Sequence, residues 1–403
     1  MSQLKNPSSL ASTLTGAVFL MATSAIGPGF ITQTTVFTDR LRTSFGFIIL
    51  CSIVIDVVVQ MNVWRVISVS GMRTQDLANR TVQGSGYVLT FLVVLGGLAF
   101  NIGNVAGCGL GLQAMADVDV ATGSILSMTI ALVIFLNREV GNALDLFAKL
   151  LGLVMIALTA YIVFSSNPPL RETVHHSFFP ETIDTTAIII LVGGTVGGYI
   201  SFSGVHRLLD AGISGVAHSQ TVSRSAVRAI LVASLMRILL FLAALGVVSA
   251  GASLDPDNPA ASVFGAAAGS FGYRIFGVVL WAAAITSVVG CAYTSVSFLK
   301  TLHPLLEAGH QWVTVAFIII SGMIFLIVGR PVTVLVIVGA LNAFVLPLAM
   351  LIILVASRKR ALMDSYRHPL WLQIAGWIVA AVLLIMGVKT AVIDMAGLWS
   401  GTR

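Results

Sequence analysis

Ala25-Ile26-Gly27-Pro28-Gly29-Phe30-Ile31-Thr32-Gln33 lies in the middle of the first long apolar segment, residues 14–37. Pro28 has no N–H to donate, and Gly27 and Gly29 hold a helix poorly. A membrane helix broken at its centre leaves carbonyls on one side of the break and N–H groups on the other. Lipid tolerates this only where the break is buried in protein or lines a wet cavity. Such breaks mark the binding sites of transporters, but a proline kink with packing glycines is also common in membrane helices.

The rest of the chain narrows that choice. It has 403 residues, 57% of them apolar and only 9% charged, which excludes a soluble domain and leaves a polytopic membrane protein. A mean hydropathy of +0.99 agrees. The net charge of +6 sits mainly in short loops, so it sets orientation and gives no reason to expect nucleic acid as a partner. Cys51, Cys108 and Cys291 lie in apolar segments, with no disulfide framework or metal spacing. There is no nucleophile triad, phosphate loop or CxxC motif, so neither an enzyme nor a cofactor is expected. The first segment is too long for a cleaved signal peptide and is expected to remain.

Apolar periodicity predicts eleven spans, at 14–37, 44–68, 85–115, 121–136, 142–164, 186–204, 227–251, 270–299, 311–328, 331–356 and 371–396. Even-numbered loops, with Arg73, Arg80, Arg138, Arg207, Arg224 and Arg358-Lys359-Arg360, are richer in positive charge than the odd ones. The positive-inside rule then places the N-terminus in the cytoplasm, the C-terminus outside, and the chain in the cell (inner) membrane. Residues 1–13 form a cytoplasmic tail and 165–185 an outer loop, while 357–403 hold a cytoplasmic loop and the eleventh span.

Spans one to five (14–164) and six to ten (186–356) are of similar length. Each set opens with a glycine-interrupted segment, the second reading Gly193-Gly194-Thr195-Val196-Gly197-Gly198-Tyr199. Five is odd, so the second set is inverted relative to the first. Matching breaks in inverted halves point to a transport site between them.

The chain resembles the NRAMP (SLC11) family of proton-coupled divalent-metal transporters. Gly27-Pro28-Gly29-Phe30 stands where that family carries Asp-Pro-Gly-Asn. Val192 to Tyr199 resembles its Val-Gly-x-Thr-Val-Met-Pro-His, and Thr74-Gln75-Asp76-Leu77-Ala78 its Thr-Gly-x-Asp-Leu-Ala loop. The resemblance implies a leucine-transporter-like, all-helical fold of five plus five inverted helices, with the eleventh added. It also implies alternating access and, for the family, a metal held by Asp, Asn and Met. Here those positions read Gly27, Phe30 and Gly197, the motif's His reads Tyr199, and the acidic proton-path residues read Asn101 and Asn104. Backbone carbonyls alone would desolvate a doubly charged ion at great cost, so no metal ligand is assigned.

Glycine at the ligand positions is expected to enlarge the cavity and remove its negative charge. The N–H groups after Pro28 and after Gly197-Gly198 would favour an anion. The expected cargo is a small organic acid or amide, lined by Gly27, Pro28, Gly29, Phe30, Thr32, Gln33, Asn101, Asn104, Thr195, Gly197, Gly198, Tyr199 and Ser201. The resemblance adds 5-oxoproline as a candidate. Each polar residue has a plain alternative as an interhelical hydrogen bond.

Asp56, mid-span, is a candidate proton carrier or a structural partner of Arg237. In related transporters of this fold a lysine replaces a sodium ion. Lys149 is placed to do so, or to snorkel, or to pair with Asp145 four residues earlier. Thr286 and Ser287, with carbonyls near Thr23 to Ile26, would instead hold Na⁺. The driving ion is thus H⁺ or Na⁺, and the remaining partner is the lipid bilayer, with a monomer expected. The rivals are divalent-metal transport and a non-transporting membrane sensor or scaffold.

Overall fold

The structure, a computed structural model, describes residues 7–299, 302 and 304–390, with residues 7–9 and 138–149 described by backbone alone. The first half holds α1 (Pro7–Ala25), α2 (Pro28–Leu41), α3 (Phe45–Ser70), α4 (Thr74–Thr81), α5 (Ser85–Ala116), α6 (Val120–Leu136), α7 (Arg138–Ser166) and α8 (Leu170–Phe178). The second holds α9 (Thr185–Val196), α10 (Ile200–Asp210), α11 (Ser219–Ser249), α12 (Pro259–Ser297), α13 (Pro304–Ala308) and α14 (His310–Val328). It ends with α15 (Pro331–Ala343), α16 (Val345–Ala356), α17 (Arg360–Met363) and α18 (Leu370–Lys389).

Each of the eleven expected segments is helical over most of its length. By length and composition eight described stretches could cross a membrane, with Pro28–Ser70 counted as one. There are nine if Leu150–Ser166 and Leu170–Phe178, bent by 107°, form one span. Leu10–Ala25 and Val120–Leu136 are shorter apolar helices. Two interruptions fall where the glycines predict them, between α1 and α2 and between α9 and α10. A third lies inside α12, at Ala268 and Gly269. Gly269 has φ +63° and ψ −160°, a conformation that needs glycine, and the expected span at 270–299 begins just after it.

Two loop acids also cap helices. Asp119 accepts from the N–H groups of Ala121 (3.1 Å) and Thr122 (3.2 Å), and Asp184 from that of Ala187 (3.0 Å). Both satisfy orphan donors of a first turn. The Asp184 carboxylate also pairs with Arg40 near the end of α2, tying α2 to the start of α9. His206, near the end of α10, is buried at 6% exposure and takes the Thr74 N–H at 3.3 Å, at the start of α4.

The last helix is held by a polar latch. The His368 ring lies 2.9 Å from Asn62 Oδ1 through Nε2 and 3.1 Å from the Tyr366 hydroxyl through Nδ1. Asn62 Nδ2 in turn donates to the Leu372 carbonyl (3.2 Å), joining α3 to α18. Burial, then Arg65, pushes the His368 pKa down from 6.5 to about 4. A depressed folded-state pKa makes this contribution complete above pH 6.5 and lost as the pH falls towards 4. Thermal unfolding in detergent is expected to ease over that window, and less so in His368→Gln. Equal pH profiles for the two proteins would remove the latch.

Candidate functional site

The first break starts from local chemistry. The Ile26 and Gly27 N–H groups bond back to Ala22 (2.9 Å) and Ala25 (2.8 Å), and the pattern resumes only at Ile31 N–H to Gly27 O, 3.2 Å. Gly27 caps α2 in an extended conformation without a side-chain bond. The N–H groups of Gly29 and Phe30 are thus the open start of α2. α5 holds this start in place, because a Cβ on Gly107 would collide with the Pro28 ring.

Gly27 faces two polar side chains. A Cβ there would stand 3.6 Å from Asn104 Oδ1 and 3.7 Å from Ser287 Oγ. The structure therefore brings Gly27, Asn104 and Ser287 together from α2, α5 and α12. Asn101 goes elsewhere, its Nδ2 donating to Ser321 Oγ on α14 at 3.1 Å. Thr286 donates to the Ala282 (2.9 Å) and Ala283 (3.1 Å) carbonyls of its own helix. Thr23 donates to the Phe19 (2.7 Å) and Leu20 (3.2 Å) carbonyls. The side chains of Lys149 and Asp145 lie outside the described residues.

At the second break Gly198 has φ +53° and lies so close to Asn342 that a side chain would strike Asn342 Oδ1. Asn342 donates to the Gly96 (3.1 Å) and Val338 (3.0 Å) carbonyls, so it joins α15, α5 and this break. A lone Asn within the apolar run of 331–356 was the signal for it, and the sequence reading did not use it. Tyr199 packs edge-on against Phe100, with ring centroids 5.7 Å apart. The Ser201 hydroxyl donates to the Val196 carbonyl, while its own carbonyl accepts from Trp64 Nε1 at 3.0 Å. Ser201 is thus a structural node.

The cavity expected from glycine at position 197 is not there. A Cβ on Gly197 would fall 2.8 Å from Asn342 Cβ and inside the Gly193 carbonyl oxygen. Neighbours have taken the volume. Apart from the half-buried Ile26, the residues of both breaks are buried, and so is Thr32 in α2, at 2% exposure. A groove of about 570 Å³ opens between α1 and α11, and none of the expected site residues line it.

Gln33 links the two breaks. Its Nε2 donates to the Leu335 carbonyl of α15 at 2.7 Å, and its Oε1 faces Gly194 of α9. Gly29 also faces Leu335: a Cβ there would lie 3.5 Å from that carbonyl and 3.6 Å from Gln33 Nε2. Alanine fits this space, and leucine must push the pair apart. Gly29→Leu is expected to reduce solute uptake to background in proteoliposomes, with Gly29→Ala near wild type. Wild-type uptake by the leucine variant would remove Gly29 from the site.

Beyond Phe30 lies a buried charge pair. Asp56 (1% exposed, α3) and Arg237 (2%, α11) are electrostatic partners, with Thr195 beside the carboxyl. The Arg237 guanidinium carbon stands 4.0 Å over the centre of the Phe30 ring, a cation–π contact. The Asp56–Arg237 pairing was one of the two readings of Asp56 from sequence, but its position against Phe30 was not foreseen. Among the described residues, no three His, Cys, Asp or Glu side chains come together as a metal-holding group.

Broken α1/α2 and α9/α10 helices packed together in a two-part helical bundle define the scaffold of a membrane transporter. Residues 18–392 match the family model described as natural resistance-associated macrophage protein-like, Nramp, and the chain belongs to that family. It is 52% identical over 389 residues to an uncharacterised membrane protein, YcsG, of Bacillus subtilis (strain 168), covering 96% of both chains. It is also 52% identical over 385 residues to an uncharacterised membrane protein of Haemophilus influenzae, covering 96% of this chain and 97% of that one. Its fold matches crystal structures of an Eremococcus coleocola manganese transporter. A mutant of that protein gives a TM-score of 0.77 at 14% identity, and its complex with an aromatic bis-isothiourea compound gives 0.74 at 14%. Each match covers 100% of this chain and 91% of the other. The fold is therefore the leucine-transporter-like one expected from the sequence. On the cargo, these comparisons favour the divalent-metal alternative over the organic solute.

Proposed function

We propose that the chain is a secondary transporter working by alternating access around the two breaks, with a small organic acid or amide as cargo and H⁺ or Na⁺ as driving ion. One observation carries the cargo: the buried Arg237 guanidinium stands on Phe30, beside the break where the resemblance places a metal's ligands. Asp56 is already the counter-ion of that guanidinium, so the pair offers no free negative charge to a divalent cation. Glycine at 27 and 197 supplies no side-chain oxygen or sulfur in its place. The expected halves, 14–164 and 186–356, each contribute one break to the site around which access alternates, with the N-terminus in the cytoplasm.

Divalent-metal transport is the second reading, favoured by family membership and by the manganese transporters that share the fold. Proteoliposomes separate the two. Loaded with a Mn²⁺-quenched dye and offered Mn²⁺, they are expected to stay bright. Offered labelled 5-oxoproline, which carries both a carboxylate and a lactam amide, or lactate, they are expected to accumulate label under an H⁺ or Na⁺ gradient. Quenching at rates above protein-free vesicles, without solute uptake, would reverse the order of the readings.

A further inference from the structure

Burying an ionised group costs several kcal/mol unless its charge and its hydrogen bonds are both answered. Asp56 answers the charge of Arg237 but not its geometry. Nε and Nη2 of Arg237 have no hydrogen-bond partner, and neither has Oδ1 of Asp56. All three atoms are fully enclosed. Two N–H donors of one guanidinium face form the planar fork that matches a carboxylate. The guanidinium lies over the ring of Phe30, the third residue of α2, whose start has no side-chain cap and whose first N–H groups attract an anion. An open helix start and an unsatisfied buried guanidinium thus meet at Phe30.

We infer that Arg237 is the anchor for the carboxylate of the transported solute, with Phe30 as its platform and Asp56 as the built-in anion that the solute displaces. This rests on the organic-solute reading above. Without solute, Asp56 balances Arg237 at a distance. With solute, the two carboxylate oxygens accept from Nε and Nη2. Arg237 is therefore a binding residue that selects acids over their amides.

Thermal-shift titrations of the purified full chain test this with matched probes: lactate and lactamide, acetate and acetamide, 5-oxoproline and its carboxamide. Wild type is expected to favour the acid of at least one pair. In Arg237→Gln the acid-to-amide affinity ratio for that pair should fall at least tenfold, and Arg237→Lys should recover part of it. Asp56→Asn should be stabilised by the acid more than wild type is, because its competitor has gone. A folded, monodisperse Arg237→Gln with the wild-type ratio would overturn the assignment and leave organic-solute transport standing. If that variant aggregates, Asp56→Asn decides: a shift no larger than wild type overturns the inference. No acid shifting wild type, together with Mn²⁺ uptake by proteoliposomes, overturns both this assignment and the organic-solute reading.

Discussion

Asparagine at position 56 is expected to stop proton-driven uptake. Asp56 is 1% exposed in the middle of α3, against Thr195 and Arg237. Asparagine keeps the shape and removes both the charge and the proton site. Arg237 then stands buried without a counter-ion, a loss of about 3–5 kcal/mol for a broken buried pair. Melting temperature should fall accordingly. If Asp56 carries the coupling proton, a pH step across proteoliposomes will no longer drive accumulation, while exchange of preloaded solute continues. Wild-type accumulation would remove Asp56 from coupling. It would leave Ser287, which faces the first break, as the residue to test for Na⁺.

Valine at Gly193 is expected to unseat α9 from α15. A Cβ at Gly193 would collide with the Gly339 carbonyl oxygen and lie 2.8 Å from the Ala343 nitrogen. The crossing is reciprocal, since a Cβ on Gly339 would lie 2.5 Å from the Ile190 carbonyl oxygen. Both obstacles are main chain inside helices, so no side chain can swing away. Overpacking costs about 1–3 kcal/mol and more where backbone must shift. The variant should lose its monodisperse elution or melt well below wild type, with Gly193→Ala between them. A valine variant as stable as wild type would show that the crossing opens readily.

The helix breaks were legible because they are local: Pro28, Gly27 and Gly29 interrupt a helix whatever surrounds them. The spans were legible for the same reason, since apolar runs between charged loops need no partner to be read. The contacts across the breaks were not. Gln33 reaches Leu335 across 302 positions of sequence, and only packing brings them together. Asn101 and Asn104 are one turn apart on α5, yet one bonds Ser321 and the other faces Gly27. The resemblance implied that glycine at 197, in place of a methionine, would leave space, because a sequence cannot say that Asn342 fills it. Arg237 was considered only as a charge partner, since nothing local places it over Phe30.

The Arg40–Asp184 pair has a kinetic consequence. Together with Gln33 on Leu335 and the Gly193–Gly339 crossing, it clamps α2, α9 and α15 into one block. The opposite half-helices, α1 and α10, pack on each other, and the atoms nearest a Cβ on Gly16 of α1 would be those of the Arg207 guanidinium of α10, from 3.4 Å. A gate at the α2/α9 end must move three helices at once, and one at the α1/α10 end must part α10 from Trp64 of α3 and Thr74 of α4. The two openings therefore break different sets of contacts, and every turnover, in either direction, must break both.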